Sequence, residues 1–419
     1  MFDEVESRYS VWRDYYFGIQ GVFYFAQGIA MGALFFLTAF LDFLSLSPFE
    51  RIAVQAIIWL PWYLKIIFGI LSDNVPIRKY GRRKPYIFTA GIIGVIGWLT
   101  LPLHAVFGPL LLVSGILASL GTSMSDATID ALAVDITPPQ KRGMMQGVSW
   151  GSRGIGVGIS GLVVGVLADA NQWFTIYAVP GVIVSLACFL VLLFKENPLP
   201  PDFKRVAVRV YKDVLKTREV LVCMLFQILS GAAIAILAIM QTYLDEAVGF
   251  DNATIGVIFV IFSLGMFTGA VVFGLLGDKV SVRLTLPITS AIYAILVISV
   301  LMLNLGDFAV ASTFFLLVGI ANGGYEATQM RISMDNSPSI VAGSMYNLYN
   351  SLSNLGQTAI GALMIAALVE ALSDFRLGWQ LAVVFLVVAL LPGYLLARWR
   401  EERGPSSEEE LTVIDGESL

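Results

Sequence analysis

The chain has 419 residues, of which 57% are hydrophobic and 14% charged, and its formal net charge at pH 7 is −5. Soluble domains carry about 25% charged residues, so this composition excludes a water-facing globular protein. Both cysteines, Cys188 and Cys223, lie inside apolar runs, and the single histidine, His104, lies in a connection. This distribution predicts neither a disulfide framework nor a metal site.

The apolar runs predict about twelve membrane-spanning helices, since a helix needs about 20 apolar residues to cross a bilayer. In chain order they cover residues 15–41, 51–72, 86–106, 109–134, 143–168, 173–194, 219–244, 252–277, 284–304, 309–334, 340–369 and 377–397. Alternate connections hold nearly all of the Lys and Arg residues, and the opposite connections contain only Arg51 and Arg376, beside several acids. Short basic connections remain in the cytoplasm during insertion. We therefore expect a multi-pass protein of the plasma membrane with both termini in the cytoplasm.

The stretch from Pro61 to Tyr86 joins the second span to the third. It carries Lys65 inside an apolar helix and Asp73 at the helix end. A short loop with five basic residues follows, Arg78, Lys79, Arg82, Arg83 and Lys84. An acid that faces such a loop indicates a charged latch, which closes when helix ends and loops of opposite charge meet. The predicted cytoplasmic gate comprises Gly69, Asp73, Gly81, Arg82, Arg83, Asp135, Arg142 and Asp278.

Residues 195–218 are the only long polar interval in the middle of the chain. Three prolines, Pro198, Pro200 and Pro201, break the preceding helix. Apolar residues then alternate with Lys and Arg, which indicates an amphipathic helix on the inner membrane surface; binding of a calmodulin-like partner is the alternative. We expect an N-terminal six-helix half (1–194), a cytoplasmic linker with this helix (195–218), a C-terminal six-helix half (219–398) and an acidic disordered tail (399–419).

The two halves are related in sequence. A shift of 200 residues places 121–161 over 321–361 without a gap, and eight positions are then identical: Ala127/Ala327, Thr128/Thr328, Asp135/Asp335, Pro138/Pro338, Gly143/Gly343, Met145/Met345, Gly156/Gly356 and Gly161/Gly361. Two parallel six-span halves joined by an inner linker resemble the organisation of the major facilitator superfamily. The expected fold is an all-α membrane protein of about twelve transmembrane helices in two pseudo-symmetric halves.

Charged side chains inside the spans are costly and mark candidate functional sites. The fourth span carries Asp126 and Asp130 on one helical face, and Glu326 occupies the position in the tenth span that repeats Asp126. Arg153 lies in the fifth span and Lys65 in the second. The alternatives are structural: Asp126 only neutralises Arg153, Asp130 pairs with loop arginines, and Lys65 extends to the inner headgroups.

The first span presents a polar face formed by Gln20, Tyr24 and Gln27. Amides and a phenol can hydrogen-bond and stack on a heterocycle in a water-filled cavity, and they can equally join helices. The predicted substrate-binding residues are Gln20, Tyr24, Gln27, Lys65, Asp126 and Arg153. The predicted proton-coupling residues are Glu326, Asp126 and Asp130, with Glu326 first, because burial near the membrane midplane favours a carboxyl group that takes up a proton.

Several stretches resemble the folate-biopterin transporter family within that superfamily. The residues that carry the resemblance are Tyr24 to Gly28, Asp42 to Pro48, Pro61, Trp62, Lys65, Gly69, Ser72, Asp73, Pro76, Ile77, Gly81 to Arg83, Pro85, Tyr86, Ser125, Asp126, Asp130, Ala131, Gln146 and Ser149 to Ser152. Muropeptide and acetyl-coenzyme A permeases share the pattern of Lys65 with Asp73 and of Asp126 with Asp130. The resemblance implies a secondary transporter for an anionic heterocycle such as a folate or pterin.

We therefore expect a secondary active transporter that works by alternating access, with protons as the coupling ion. Arg153 and Lys65 are the cations that would bind a substrate carboxylate. The alternatives are transport of another solute (a muropeptide, a nucleotide-like compound or a sugar), a uniporter or channel, and a non-transporting receptor or an enzyme. No nucleotide-binding loop or Ser/His/Asp set supports an enzyme. We expect a monomer in the lipid bilayer that binds a small molecule, without a cofactor, a metal or a nucleic-acid partner.

Overall fold

The computed structural model describes residues 12–77, 80–137, 142–196, 208–338 and 341–403. Across these ranges the regular structure is helical, with one isolated β-bridge between Ile77 and Gly81. A helix satisfies its backbone hydrogen bonds within its own segment, as the interior of a bilayer requires. Eleven helical stretches in the described ranges are long and apolar enough to cross a membrane.

The helices before the linker form the N-terminal half. They are α1 (Tyr16–Phe35), α2 (Leu37–Phe43), α3 (Pro48–Ile58), α4 (Leu60–Tyr63), α5 (Lys65–Asn74), α6 (Lys84–Thr100), α7 (Pro109–Ile136), α8 (Arg142–Asp169) and α9 (Trp173–Val191). A 3₁₀ turn, Leu101–Leu103, follows α6 directly. Together α1 and α2 make the first span, α3 to α5 the second, and α6 to α9 the third to sixth.

The linker contributes α10 (Val208–Val214), and the remaining helices form the C-terminal half. They are α11 (Arg218–Ala233), α12 (Ile236–Tyr243), α13 (Asn252–Lys279), α14 (Val282–Ser299), α15 (Phe308–Asp335), α16 (Ala342–Leu355), α17 (Ala362–Leu372) and α18 (Phe375–Arg403). Two π-helical segments, Leu244–Val248 and Gly356–Gly361, extend α12 and join α16 to α17.

The second predicted span is not one helix but is divided into short helices. Trp59 and Leu64 interrupt it, so that α3, α4 and α5 are three short helices. Pro61 lies in the first turn of α4, where a proline is tolerated because its missing N–H would have no intrahelical partner. The interruption explains why eleven stretches, rather than the expected twelve or so, are continuous helices of membrane length.

The two halves repeat each other in structure as well as in sequence. The first span breaks at Phe36, and the seventh breaks at Ile234 and Ala235, about 200 residues later. The fourth and tenth spans, α7 and α15, are both uninterrupted helices of 28 residues. The expectation of an all-α membrane protein with two pseudo-symmetric six-helix halves is confirmed.

The halves meet along two lines of contact. One line packs α8 against α13, and the other packs α4 and α5 against α16 and α3 against α17. Glycines allow the first approach, since a Cβ atom on Gly256 would lie 2.4 Å from the carbonyl oxygen of Gly161. Any other side chain at Gly256 would push α8 and α13 apart.

Candidate functional site

Asp126 lies at the centre of a buried cluster in the N-terminal half. Its side chain on α7 is 2% exposed and forms an ion pair with the Lys65 ammonium group. The Nη2 atom of Arg153 lies 2.6 Å from its Oδ1 atom, and the Gln27 amide donates to the same oxygen at 2.8 Å. We call Gln27, Lys65, Asp126 and Arg153 the central charge cluster. Three different spans therefore converge on one carboxylate.

A close crossing of α1 and α8 brings Gln27 to Arg153. A Cβ atom on Gly28 would lie 2.2 Å from the carbonyl oxygen of Arg153, and one on Gly156 would lie 2.3 Å from the carbonyl oxygen of Phe25. Only glycine permits this distance between the two backbones. The Gln27 side-chain oxygen consequently accepts from Arg153 Nε at 2.9 Å.

The Arg153 guanidinium also contacts two aromatic rings. It lies 5.1 Å from the centre of the Tyr24 ring and 5.0 Å from that of Trp150, within the range of a cation–π interaction. The Lys65 ammonium lies 5.4 Å from the centre of the Trp62 ring. Aromatic faces and one carboxylate thus replace the water that these two cations lose on burial.

The other predicted polar residues of the first span bind neighbouring helices. The Tyr24 hydroxyl donates to Asp130, and the Gln20 amide donates to Ser149 Oγ at 3.2 Å. The Gln20 side-chain oxygen is buried and has no hydrogen-bond partner among the described residues. The structure thus brings Tyr24, Gln27, Lys65, Asp126, Asp130 and Arg153 into one connected group, with Gln20 one step away from it.

Two of the structural alternatives are wrong: that Lys65 extends to the headgroups and that Asp130 pairs with loop arginines. The Lys65 side chain is 6% exposed and pairs with Asp126 instead of extending to the headgroups, because the break at Leu64 starts α5 deep in the bundle. Asp130 accepts from Tyr24 and makes no ion pair with a loop arginine among the described residues. The pairing of Asp126 with Arg153 is present, and it is shared with Lys65.

Glu326 lies on α15, opposite the central charge cluster. It is in electrostatic range of Arg153, yet in the described part of the chain its carboxylate has no hydrogen bond and no ion pair. Lys65 and Arg153 together balance Asp126 and Asp130, so Glu326 adds a negative charge without its own cation. The nearest cation along α15, Arg331, pairs with Asp335 at 3.6 Å.

The C-terminal half contains a second buried polar group, which sequence reasoning missed. The Gln329 amide donates to Gln227 at 2.7 Å and to Ser353 Oγ at 2.8 Å. Gln227 donates in turn to Ser333. We call Gln227, Gln329, Ser333 and Ser353 the neutral cluster, because none of its members is charged. The signal was present, since Gln227 stands 200 residues after Gln27.

At the end of the bundle that carries the basic loop, acids and arginines pair closely. Arg83 donates to Asp73 and to Ser72, both at 2.6 Å, and its Nε atom donates to Asp135 at 3.1 Å. Arg82 also pairs with Asp135.

Asp73 reaches the other half, since it accepts from Ser344 Oγ at 3.3 Å. Gly69 also faces the C-terminal half, next to Asn347 of α16. Nothing is described for the side chains of the remaining predicted gate residues, Arg142 and Asp278.

The opposite end holds a second charged group between the halves, which was also missed. Arg51 is buried, and its Nη1 atom lies 3.3 Å from Asp42 and 3.7 Å from Asp245. Its Nη2 atom pairs with Glu246. Asp42 belongs to the N-terminal half, whereas Asp245 and Glu246 belong to the C-terminal half. The only signal in the sequence was an arginine among acids in connections whose one other cation is Arg376.

Comparison with known proteins agrees with this architecture. The model of the Major Facilitator Superfamily matches residues 16–358 and 223–415. The folate-biopterin transporter of Synechocystis sp. is 28% identical over 180 residues, which are 41% of this chain and 36% of that protein. Probable folate-biopterin transporter 4 of Arabidopsis thaliana is 30% identical over 164 residues, 38% of this chain and 33% of that protein. These two matches span about a third of the relatives' length.

A third relative matches most of the chain. Probable folate-biopterin transporter 5 of Arabidopsis thaliana is 26% identical over 381 residues, 84% of this chain and 76% of that protein. The expected resemblance to this family is therefore confirmed.

Solved structures share the fold. A POT family transporter in complex with a thioalcohol-conjugated peptide superposes with a TM-score of 0.72 and 13% identity, over 93% of this chain and 96% of that one. The nucleoside transporter NupG gives a TM-score of 0.70 with 12% identity, over 91% and 99%. The match of the family model over most of the sequence and the shared fold lead to one conclusion: the chain belongs to the major facilitator superfamily.

Proposed function

We propose that the protein is a secondary active transporter that moves a small anionic solute of the folate or pterin class across the plasma membrane by alternating access, with protons as the coupling ion. The names of the relatives support the substrate class. The relatives and the solved structures are named as transporters or as a multidrug resistance protein. This supports a transporter and argues against an enzyme.

One observation carries the proposal: the buried Lys65 and the 14% exposed Arg153 share the carboxylate of Asp126. A carboxylate on the substrate can take the place of Asp126 at Arg153, since the guanidinium group binds two oxygens of one carboxylate in parallel. Lys65 then keeps Asp126 neutralised. One carboxylate replaces another, so the substrate does not leave a buried charge without a partner.

Tyr24 and Trp150 give the same place an aromatic lining. Their rings lie against Arg153, where a flat heterocyclic or benzoyl group next to the bound carboxylate can stack on them. Gln27 offers amide hydrogen bonds beside the guanidinium. The lining therefore fits an aromatic acid better than an aliphatic one.

Glu326 is the proposed proton carrier. Its carboxylate is in electrostatic range of Arg153 in the other half and has no direct partner in the described residues, so no cation of its own holds it in the charged form. Uptake of a proton on one side of the membrane and its loss on the other would couple proton flow to the movement of the halves. Asp130, held by Tyr24, is the second candidate.

The two charged groups between the halves are the proposed gates. The cluster around Asp73 and Arg83 closes the cytoplasmic side, where we place both termini and the linker, and the cluster around Arg51 closes the outer side. Residues 1–194 and 219–398 would move as two bodies about the central site. We propose that one chain is sufficient for transport.

Uptake by the purified protein in proteoliposomes tests the proposal. We expect radiolabelled folic acid to accumulate when the inside is made alkaline relative to the outside, and to stop accumulating when an ionophore collapses the gradient. Arg153→Gln should abolish uptake, whereas Arg209→Gln should not, because Arg209 is 91% exposed on α10. Uptake of folic acid by Arg153→Gln at the rate of the parent protein would contradict the proposed site.

A further inference from the structure

The end of α8 meets the beginning of α13, a helix of the other half. The carboxylate of Asp169, the last residue of α8, accepts from the backbone N–H of Asn252 at 3.1 Å and from that of Ala253 at 2.8 Å. The side-chain nitrogen of Asn252 also donates to it at 3.1 Å. We call these three hydrogen bonds the outer latch, because they lie at the end of the bundle opposite the basic loop.

Glycines on one face of α8 make this contact possible. Gly161, Gly165 and Asp169 follow one another at spacings of four residues and therefore share one side of the helix. A Cβ atom on Gly165 would lie 2.2 Å from the carbonyl oxygen of Asn252. This face is thus in backbone contact with α13, and the carboxylate one turn after Gly165 reaches the first N–H groups of that helix.

The first N–H groups of α13 need acceptors from outside their own helix, as at every helix start. Those of Asn252 and Ala253 donate to Asp169, and that of Thr254 donates to Asp251 at 2.8 Å. The positive end of the helix dipole at the same place favours carboxylates. Asp251 precedes α13 directly, whereas Asp169 belongs to the N-terminal half. Separation of the halves at this end would therefore remove one of the two acids from the start of α13.

A second chain of hydrogen bonds reaches Asn252 from another helix of the N-terminal half. Thr38 donates to the side-chain oxygen of Gln241 at 2.6 Å, and the Gln241 amide donates to the side-chain oxygen of Asn252 at 3.4 Å. The N-terminal half is thus connected to both side-chain atoms of Asn252, directly through Asp169 and indirectly through Thr38.

The same arrangement occurs at the other end of the bundle, on the other line of contact. Asp73, near the end of α5, accepts from Ser344 in the first turn of α16. In both places an acid at the end of a helix of the N-terminal half meets the first turn of a helix of the C-terminal half. Asp169 thus stands to the outer end as Asp73 stands to the end with the basic loop.

We infer that Asp169 is a conformational latch, which holds the outer ends of α8 and α13 together while the outer side is closed and releases α13 when that side opens. This inference rests on the alternating access of the proposed function. The latch lies on a different line of contact from the cluster around Arg51. Asp169 is exposed, so water can replace its partners, and the contact can open and close in each transport cycle.

The separation of the outer ends can be measured between two spin labels. Val106 and Met302 are 74% and 91% exposed in connections at this end of the two halves, and the native thiols of Cys188 and Cys223 are buried. Double electron–electron resonance on the purified Val106→Cys/Met302→Cys protein, without substrate, gives the populations of the shorter and longer distances. We expect the shorter distance to predominate.

Asp169→Ala in this background is the decisive variant, because it removes all three hydrogen bonds of the outer latch from an exposed position. We expect the ratio of the longer-distance to the shorter-distance population to rise about fivefold, as is typical for a carboxylate at a helix N-terminus. Thr38→Val removes only the hydroxyl that donates to Gln241 and should change the ratio in the same direction.

Asp307→Ala and Asp251→Ala are the matched controls. The Asp307 side chain accepts from the N–H groups of Ala309 at 2.8 Å and Val310 at 3.2 Å, which is the same kind of contact at the same end but within one half. Asp251 caps α13 from its own half. We expect neither variant to change the ratio.

Two results would overturn the inference. One is an Asp169→Ala protein with the distances and populations of the parent. The other is an equal rise of the ratio in Asp251→Ala and Asp307→Ala, since the effect would then come from weakened helix ends in general. No substrate is present in these measurements, so a parent that takes up no folic acid would remove the proposed substrate class without deciding the role of Asp169.

Discussion

The carboxylate of Glu196 occupies the space that a side chain at Gly81 would need. A Cβ atom on Gly81 would lie 2.6 Å from the Glu196 Oε2 atom, and Gly81 has a φ of +104°. Glu196 accepts backbone N–H bonds from Arg82 at 2.6 Å, from Arg83 at 3.1 Å and from Lys84 at 2.6 Å. The end of the sixth span thereby holds the start of α6, and with it the loop arginines that bind Asp73 and Asp135.

We expect Gly81→Ala to lower both stability and transport. The positive φ costs a non-glycine residue about 1–2 kcal/mol, and the methyl group must also displace Glu196. Unfolding of the purified protein should show this loss. Gly158→Ala is the control, because no atom outside its own helix lies within 4 Å of a Cβ atom there. A Gly81→Ala protein as stable as the parent would show that Glu196 moves without cost.

Removing the carboxylate at the centre of the charge cluster should destabilise the protein strongly. Asp126→Asn leaves Lys65 and Arg153 buried without their shared partner, and breaking a buried pair costs about 3–5 kcal/mol. The double variant Lys65→Met/Asp126→Asn removes one charge of each sign, and we expect it to unfold closer to the parent. The free energy of unfolding of the two variants is the measurement.

The control for this comparison is Asp213→Asn. Asp213 pairs with Arg209 at 3.6 Å, and both side chains are exposed, so its removal should change stability by less than about 1 kcal/mol. If Asp126→Asn is as stable as Asp213→Asn, the two cations do not depend on Asp126 for their burial.

Glu326→Gln should separate transport from proton coupling. The amide cannot bind and release a proton, so we expect accumulation driven by a pH gradient to stop. Exchange of labelled for unlabelled folic acid requires no net proton movement and should continue at a rate within a few-fold of the parent. Glu370→Gln, an exposed carboxylate on α17, is the control. If Glu326→Gln still accumulates substrate, Asp130 becomes the next candidate for the proton carrier.

Arg51→Gln should open the end of the bundle opposite to the basic loop. The substitution leaves Asp42, Asp245 and Glu246 to repel one another across the interface. Thr38 is buried there and donates to Gln241 of the other half at 2.6 Å. We expect a Thr38→Cys reporter to react with an impermeant maleimide several times faster when Arg51 is replaced.

Arg376→Gln is the matched control for this experiment. It removes the other arginine of the same connections, which contacts Tyr243 within the C-terminal half and therefore does not join the halves. An equal increase in labelling from both variants would mean that net charge, rather than the ion pairs of Arg51, determines how easily the maleimide reaches the cysteine at position 38.

The topology can be tested with single cysteines, because the native thiols of Cys188 and Cys223 are buried. In sealed right-side-out vesicles we expect Lys212→Cys to resist an impermeant thiol reagent and Asn304→Cys to react. Lysis of the vesicles should expose both positions. Labelling of Lys212→Cys from outside would invert the proposed orientation.

The fold class follows from the sequence alone, because the length and polarity of each span are local properties that the bilayer tests directly. The shift of 200 residues also determined the repeat. The same reasoning identified Asp126, Arg153, Lys65 and Glu326 as candidates, since a charge in an apolar run is visible without any structure.

Which of these charges are partners depends on the tertiary structure. Lys65 is 61 residues from Asp126, and Arg51 is 195 residues from Glu246, so their pairing depends on how the helices cross. The members of the neutral cluster carry no charge, and their one signal in the sequence is that Gln227 stands 200 residues after Gln27. Their hydrogen bonds depend on how α11, α15 and α16 cross, since Gln227 and Gln329 are 102 residues apart.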